Sequence, residues 1–517
     1  MLSEPSAPYK ADPAILALGP TLYDPVEAAT FPQQTLRFRN DRAAREIGLD
    51  HLTGEQWLAH FAAFTPLPEN LTRPLALRYH GHQFRTYNPD IGDGRGFLFA
   101  QIRGADGRLL DLGTKGSGQT PHSRSGDGRL TLKGAVREIL ATEMLEALGV
   151  DTNRTLSVVE TGESLERGDE PSPTRSAVMV RLSHSHIRYG TFQRLAYLDE
   201  GAALTRLVEY CVEHFVAHGR SSSSLPSLSS PPNFSSPPNL SSPPKLSSPR
   251  RRVSPSSPEE IPASAGMMTG EGDPYAALMH YAVDGAAQLA ASYRVAGFVH
   301  GVLNTDNINI TGESFDYGPW RFAPRWEDGF TAAYFDQWGL YAFGRQAEAL
   351  QWNVHQLALA LRTVCEADSL IPALKTFAGR YEAALVERML WRLGVTARTS
   401  EEDTALVQAW ETALAAFDIE PDRAFFDWRG GAQGPANPAY DSAAFRTFAG
   451  RLSAYDPAPG ARDHDYWSDP APCSMLIDEV EAIWSAIADR DDWAPLTQKI
   501  AAIRRMGAAL GKSAEGG

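Results

Sequence analysis

The chain has 517 residues, 43% hydrophobic and 21% charged, enough to bury a large core in two or three packed subdomains. Its 48 Lys and Arg against 63 Asp and Glu give a formal charge of -15, which argues against non-specific binding to nucleic acid or to an anionic membrane. Three cysteines without CxxC spacing support neither a disulfide scaffold nor a cysteine zinc site; the N-terminus lacks a signal or transit pattern, and no apolar run is long enough to span a bilayer, so a cytoplasmic setting is expected.

In chain order, Gly92-Asp93-Gly94-Arg95-Gly96 stands directly before Phe97–Ile102, which reads as a strand, with a turn at 105–108 and a returning strand at Leu109–Lys115. Strand context argues against a dinucleotide-binding turn, which would open a helix; backbone free of Cβ would let phosphates approach closely. A second small-residue loop, from Gly116 to Arg129 and including Asp127 and Gly128, leads to a helical repeat of Leu132, Ala135, Val136, Ile139, Leu140, Met144 and Leu148, stopped by Gly149. Glu138 rides that helix. Ala177–Leu182 reads as a further strand, and Ala202–His218, Tyr275–Ala296 and Gln346–Ala367 as helices. Ser221 to Gly272 is Ser/Pro-rich with a near-repeat Ser-Ser-Pro-Pro, and is expected to be a disordered insertion tolerated on the surface.

The order of Lys115, Glu138, His300-Gly301-Val302-Leu303-Asn304-Thr305-Asp306-Asn307 and Asp316-Tyr317-Gly318 is that of a protein kinase site. There the strand lysine meets phosphates and a helix glutamate, while an Asn and an Asp hold magnesium. Alone, each of these residues has a plainer reading as a solvated lysine or a turn-forming Asn or Asp. One part departs: the position of the catalytic aspartate is Val302, which cannot accept a proton, and the nearby carboxylate is Asp306. Asn307 and Asp316 supply the hard oxygen donors that magnesium favours. The pairs His80-Gly81-His82 and His184-Ser185-His186 lack a third zinc ligand and are expected to be hydrogen-bonded structural histidines. Arg181 and Arg188 offer bidentate forks for phosphate, with ion pairing as the default for either alone. Trp320, Trp326, Trp338 and Trp352 are assigned to core packing. The tail Gly511-Lys512-Ser513 is not a phosphate loop, because Met506 stands where its first glycine must be.

Several of these segments, with Tyr79-His80-Gly81-His82-Gln83-Phe84, Asp111–Gly118 and Ser185–Phe192, resemble the selenoprotein O family from about Thr35 to Leu361. The resemblance implies an α+β, protein-kinase-like (pseudokinase) two-lobed fold, with a mixed N-terminal sheet lobe, a mainly helical C-terminal lobe and additional C-terminal helices. It divides the chain into an extension at 1–70, a sheet lobe at 71–200, a helical lobe at 201–220 and 273–400, and a helical region at 401–517. It implies a protein adenylyltransferase that binds ATP in a flipped orientation with magnesium or manganese and moves AMP to Ser, Thr or Tyr hydroxyls of protein partners, redox-related ones among them. Asp306 becomes the catalytic base and Asn307 and Asp316 the metal ligands. Gly92, Gly94, Arg95, Lys115, Asp127, Gly128, Arg181, Arg188 and Asp316 become nucleotide contacts, with Glu138 the ion-pair partner of Lys115. A phosphotransferase, UMP transfer from UTP and a non-catalytic nucleotide-binding scaffold are the alternatives. Many members end in selenocysteine or cysteine; this chain ends Ser-Ala-Glu-Gly-Gly, which puts redox control through that tail in doubt.

Overall fold

The structure, a computed structural model, describes residues 7–168, 170–219, 272–434 and 437–511. Apart from Gly272, the expected Ser/Pro insertion lies outside the described residues, as does the tail from Lys512.

The strands are β1 (Tyr23–Pro25), β2 (Thr35–Arg39), β3 (Leu75–Leu77), β4 (Gly81–Gln83), β5 (Thr86–Asn88), β6 (Leu98–Arg103), β7 (Leu109–Lys115), β8 (Leu130–Thr131), β9 (Arg154–Leu165), β10 (Thr174–Ser183), β11 (Phe298–Val299) and β12 (Arg321–Phe322). The main sheet runs β1-β3-β6-β7-β10-β9-β2, with β8 also on β10, and its pairings are antiparallel. Strands from the first seventy residues therefore form both of its edges. The helices before the gap are α1 (Asp41–Glu46), α2 (Gly54–Phe61), α3 (Leu132–Ala147), α4 (Tyr189–Tyr197) and α5 (Gly201–Cys211). After it come α6 (Pro274–Ala296), α7 (Gln346–Leu361), α8 (Ile371–Leu374), α9 (Phe377–Leu393), α10 (Ser400–Ala415), α11 (Pro421–Asp427), α12 (Ala443–Leu452), α13 (Ile477–Arg490) and α14 (Ala494–Ala509). None of the described helices is long and apolar enough to cross a membrane.

Strand alternation explains how the sheet aims its polar residues. Leu110 and Leu112 of β7, with Val178, Val180 and Leu182 of β10, join Trp57 and Phe61 of α2 in a core on one face. The intervening positions, Asp111, Gly113 and Lys115 of β7 and Met179 and Arg181 of β10, consequently face the other way, toward α3. Register sets Met179 opposite Lys115 and Arg181 opposite Gly113, so Lys115 and Arg181 are diagonal neighbours on one face. The core on that face is continuous from β7 and β10 through α3 into α4–α7 and on to α13 and α14.

Element by element, the expected Leu109–Lys115 strand and the 132–148 helix are present; Thr131 caps α3 by accepting from the Gly134 amide at 3.1 Å, and Gly149 follows it in the left-handed region. The helix expected to reach Ala367 ends at Leu361, where Thr363 and Cys365 side chains bond the carbonyls of Ala360 and Leu361. The helix expected over Ala202–His218 becomes a π turn after Cys211.

Candidate active site

Residues 300–320 form one long loop whose ends are closed by the β11–β12 ladder, with Phe298 opposite Phe322. Its middle is tied down twice. His300 Nε2 lies 3.0 Å from the Phe315 carbonyl, and the Ile308 carbonyl and Ile310 amide bond the backbone of Tyr189 and Ile187 at 3.0 and 2.9 Å. These ties bring Asp306 and Asn307, on a short 3-10 turn, into the same cleft as Asp316, which sits at φ 60°. A left-handed aspartate is a strained backbone position held by its surroundings.

The cleft, about 790 Å³, is lined by Gly92, Gly94, Arg95, Lys115, Asp127, Gly128, Arg181, Arg188, Asp306, Asn307 and Asp316. Every residue expected to contact nucleotide or metal, and the expected base, is thus brought together. Glu138 stands behind them, 1% exposed, and accepts from Lys115 Nζ. Burial pushes the Lys115 ammonium down, and the Glu138 carboxylate opposes that.

Arg181 and Arg188 converge on Asp316. Arg181 Nη1 donates to Oδ1 at 2.6 Å and Arg188 Nη2 to Oδ2 at 3.0 Å. Burial would raise the Asp316 carboxyl, but Arg181, Arg188 and Lys115 outweigh it and hold it well below the usual carboxylate range. Arg188 also donates to Asp93 at 3.2 Å and lies 4.4 Å from the Tyr79 ring centroid. Asp93 and Tyr79 were not singled out from sequence: Asp93 was legible only as a member of the glycine run, and Tyr79 only as part of a motif.

Asp306 is placed differently. Its Oδ2 lies at 3.5 Å from Gln83 Nε2, while its buried Oδ1 has no protein partner. Burial pushes its carboxyl up to about 6. Val302 lines the same cleft and offers only methyl groups. The β4–β5 hairpin presses on this loop: the His82 amide donates to Thr305 Oγ1 at 2.7 Å, and a Cβ on Gly81 would stand 3.0 Å from Asp306 Cβ. That contact gives the Tyr-His-Gly-His-Gln-Phe segment a physical role as a buttress of Asp306.

The glycine run owes its composition to packing within the protein. A Cβ on Gly92 would lie 2.6 Å from the His122 ring, and one on Gly96 2.2 Å from the Thr114 carbonyl. Thr120 and Ser123 hydroxyls bond the Asp93 and Gly94 carbonyls, so the two small-residue loops are stitched together over the cleft. Asp127 accepts from Arg167 at 2.8 Å at the rim. Among the histidines of the His-x-His pairs, His80 bonds Tyr87, His82 bonds Gln193 and His186 bonds Asp111, as expected of structural histidines. Of the tryptophans assigned to the core, Trp320 and Trp326 are buried, but Trp338 is 91% exposed and Trp352 only half-buried. Trp338 lies in the irregular stretch between β12 and α7 and is exposed there, so its assignment to the core is corrected.

The donor set fits a divalent cation. Asn307 Oδ1 is a buried oxygen with no protein partner, and Asp316 supplies an ionised carboxylate in the same cleft.

A family model described as protein adenylyltransferase SelO matches residues 6–437. The protein nucleotidyltransferase YdiU of Trichormus variabilis is 38% identical over 519 residues, with 96% of each chain covered. That of Synechocystis is 43% identical over 388 residues, 74% of this chain and 71% of its own. The Vibrio cholerae protein of the same name is 33% identical over 402 residues, 77% of this chain and 70% of its own. The family model and these relatives define a nucleotidyltransferase. The chain belongs to the protein adenylyltransferase SelO family, and the activity so indicated is transfer of AMP to protein.

Proposed function

We propose that this cleft holds ATP with its triphosphate directed inward, so that the α-phosphate faces an incoming protein hydroxyl, and that Asp306 is the base. The oxygen of a Ser, Thr or Tyr side chain forms the new bond to the α-phosphorus, its proton passes to Asp306, and the α–β bridge breaks to release pyrophosphate. The observation carrying this reading is the Asp306 carboxylate itself, with one buried oxygen unclaimed and its proton affinity raised toward neutrality, in a cleft where Val302 can do no proton chemistry.

Arg181, Arg188 and Lys115 hold the β- and γ-phosphates in this reading: all three line the cleft, paired there with Asp316, Asp93 and Glu138, and phosphate oxygens would share their donors. Asn307 and Asp316 would hold magnesium or manganese, which when bound neutralises phosphate charge. Arg95, Gly92, Gly94, Asp127 and Gly128 form the outer wall around the nucleotide. The same reading takes the sheet with α3 as one lobe of a kinase-like pair and the helices from α5 onward as the other, with residues 1–70 and 401–517 packed against them, and sets the protein in the cytoplasm with its three cysteines as free thiols.

Asp306→Asn tests the assignment. Transfer of α-label should fall by about 10²-fold or more, the scale of a lost general base, while ATP affinity by calorimetry stays within about threefold. Full turnover in a folded variant would move the base elsewhere.

A further inference from the structure

The outer wall beside Asp306 carries an aromatic surface that the nucleotide does not need. β4 and β5 are joined by only Phe84 and Arg85, since Gln83 pairs with Thr86, and both turn residues have positive φ, 49° and 62°. Such a turn favours Asn and Gly, so a Phe-Arg pair here is strained and held by its surroundings. The Phe84 amide donates to Asn304 Oδ1 at 2.9 Å, and Tyr341 donates to the same oxygen at 2.6 Å, two residues before Asp306. The Phe84 ring meets Phe335 at 5.9 Å between centroids, and Phe335 meets Tyr334 at 5.1 Å. Phe84 is 37% exposed, Phe335 46%, Tyr334 85% and Trp338 91%.

This stretch is fastened in place. Arg345 donates to the carbonyls of Trp338 and Gly339 at 3.3 and 3.1 Å, and Asp336 accepts from the amides of Leu340 and Tyr341 at 2.8 Å each. Its charges are largely spent on one another, because Arg85 and Arg345 share Glu348 at 2.9 and 3.2 Å. What remains for a partner is ring surface. Exposed aromatic clusters of this kind mark interaction sites, and aromatic anchors dominate binding energy in them.

We propose that Phe84, Tyr334, Phe335 and Trp338 dock the segment of the protein substrate that flanks the modified hydroxyl, and select apolar or aromatic residues next to it. The inference rests on the AMP-transfer reading. A hydroxyl delivered to Asp306 brings its neighbouring residues onto the wall that the β4–β5 turn and the 334–341 stretch build around the same loop, so the surface is continuous with the reaction centre.

The test uses pairs of short synthetic peptides with one Ser, Thr or Tyr, flanked either by Phe and Leu or by Gln and Gly, with α-labelled ATP. The full-length protein should label the apolar-flanked members with kcat/KM at least ~10-fold higher, equivalent to ~1.4 kcal/mol. Tyr334→Ala/Trp338→Ala, both at exposed sites, should shrink that preference to within ~2-fold while ATP affinity by calorimetry is unchanged. Equal labelling of both peptide types by the wild type, or a preference that survives in the double variant, overturns the docking assignment. So does self-labelling with no peptide labelled. A wild-type dimer that light scattering shows to become a monomer in the double variant would assign the patch to a second copy instead. No label on any peptide or on the enzyme would overturn AMP transfer itself, an outcome distinct from label without preference.

Discussion

Arg188→Ala removes the guanidinium that joins the glycine run to the 300–320 loop. The side chain is 3% exposed and donates to Asp316 at 3.0 Å, Asp93 at 3.2 Å and the His186 carbonyl at 3.3 Å, with the Tyr79 and Phe315 rings at 4.4 and 5.0 Å. Breaking a buried ion pair costs ~3–5 kcal/mol. Asp316 keeps Arg181 at 2.6 Å and Asp93 keeps the Leu77 amide at 3.1 Å, so the loss should lie near the lower end. If Arg188 holds the outer phosphates, the variant also loses ~1.5–3 kcal/mol of charge-assisted bonding to ATP, or about 10- to 150-fold in affinity. AMP has no β- or γ-phosphate and should lose less than about threefold on the same scale. Calorimetry with both nucleotides on one preparation, after a thermal melt establishes folding, separates these effects. Arg188→Lys keeps the charge but loses the planar fork and its stacking, so it should fall between wild type and alanine. Equal weakening toward ATP and AMP would place Arg188 beside the nucleoside or α-phosphate and refute the inverted pose.

Lys115→Met should abolish transfer and cost ~3–5 kcal/mol by stranding Glu138 in the core; Lys115→Met/Glu138→Leu should recover most of the stability in thermal melts but none of the transfer, and recovered transfer would refute the phosphate role. In the nucleotide- and metal-free protein, ¹³C NMR should find Asp306 titrating at about 6. Because that value is raised from 3.8, the shift contributes ~3 kcal/mol of stability that is fully present below pH 3.8 and lost as pH rises through about 6; a midpoint below 4 would contradict the burial argument. Gly113→Ala would put a Cβ 2.0 Å from His186 Nε2, so the ring must leave its contact with Asp111, at a cost of ~1–3 kcal/mol in urea denaturation. Gly54→Ala, with nothing within 4 Å, should be neutral or slightly stabilising by the same measurement.

Local signals served where one element carried the chemistry. The β6–β7 hairpin ending in Lys115 was legible because two apolar runs flank the Ala-Asp-Gly-Arg turn, and α3 because its helical spacing is uninterrupted. The twelve-residue β9 was not, since Arg154–Leu165 mixes Thr, Ser, Glu and Gly and owes its extension to β10 and β2 on either side. The edge strand β1 and its neighbour β3 are three residues each, too short for a period to show. In the site, motif order named the residues that converge, but not what each one touches. Asp93 and Tyr79 meet Arg188 across more than ninety residues of sequence, a relation that only the sheet register and the loop ties create. The glycines of 92–96 were read as making room for phosphate, whereas the nearest atoms that a side chain would strike belong to His122 and Thr114. Trp338 shows the converse failure: it is grouped with core tryptophans in sequence, and only tertiary placement reveals its outward face.

The central claim is that the α-phosphate, and not the γ-phosphate, is the one transferred. Parallel incubations with α-labelled and γ-labelled ATP, followed by denaturing separation of protein from nucleotide, decide it. AMP transfer leaves stable α-label on protein with γ-label departing in pyrophosphate, and both outcomes are lost in Asp306→Asn. γ-Label retained on protein would contradict it and make the cleft a phosphotransferase.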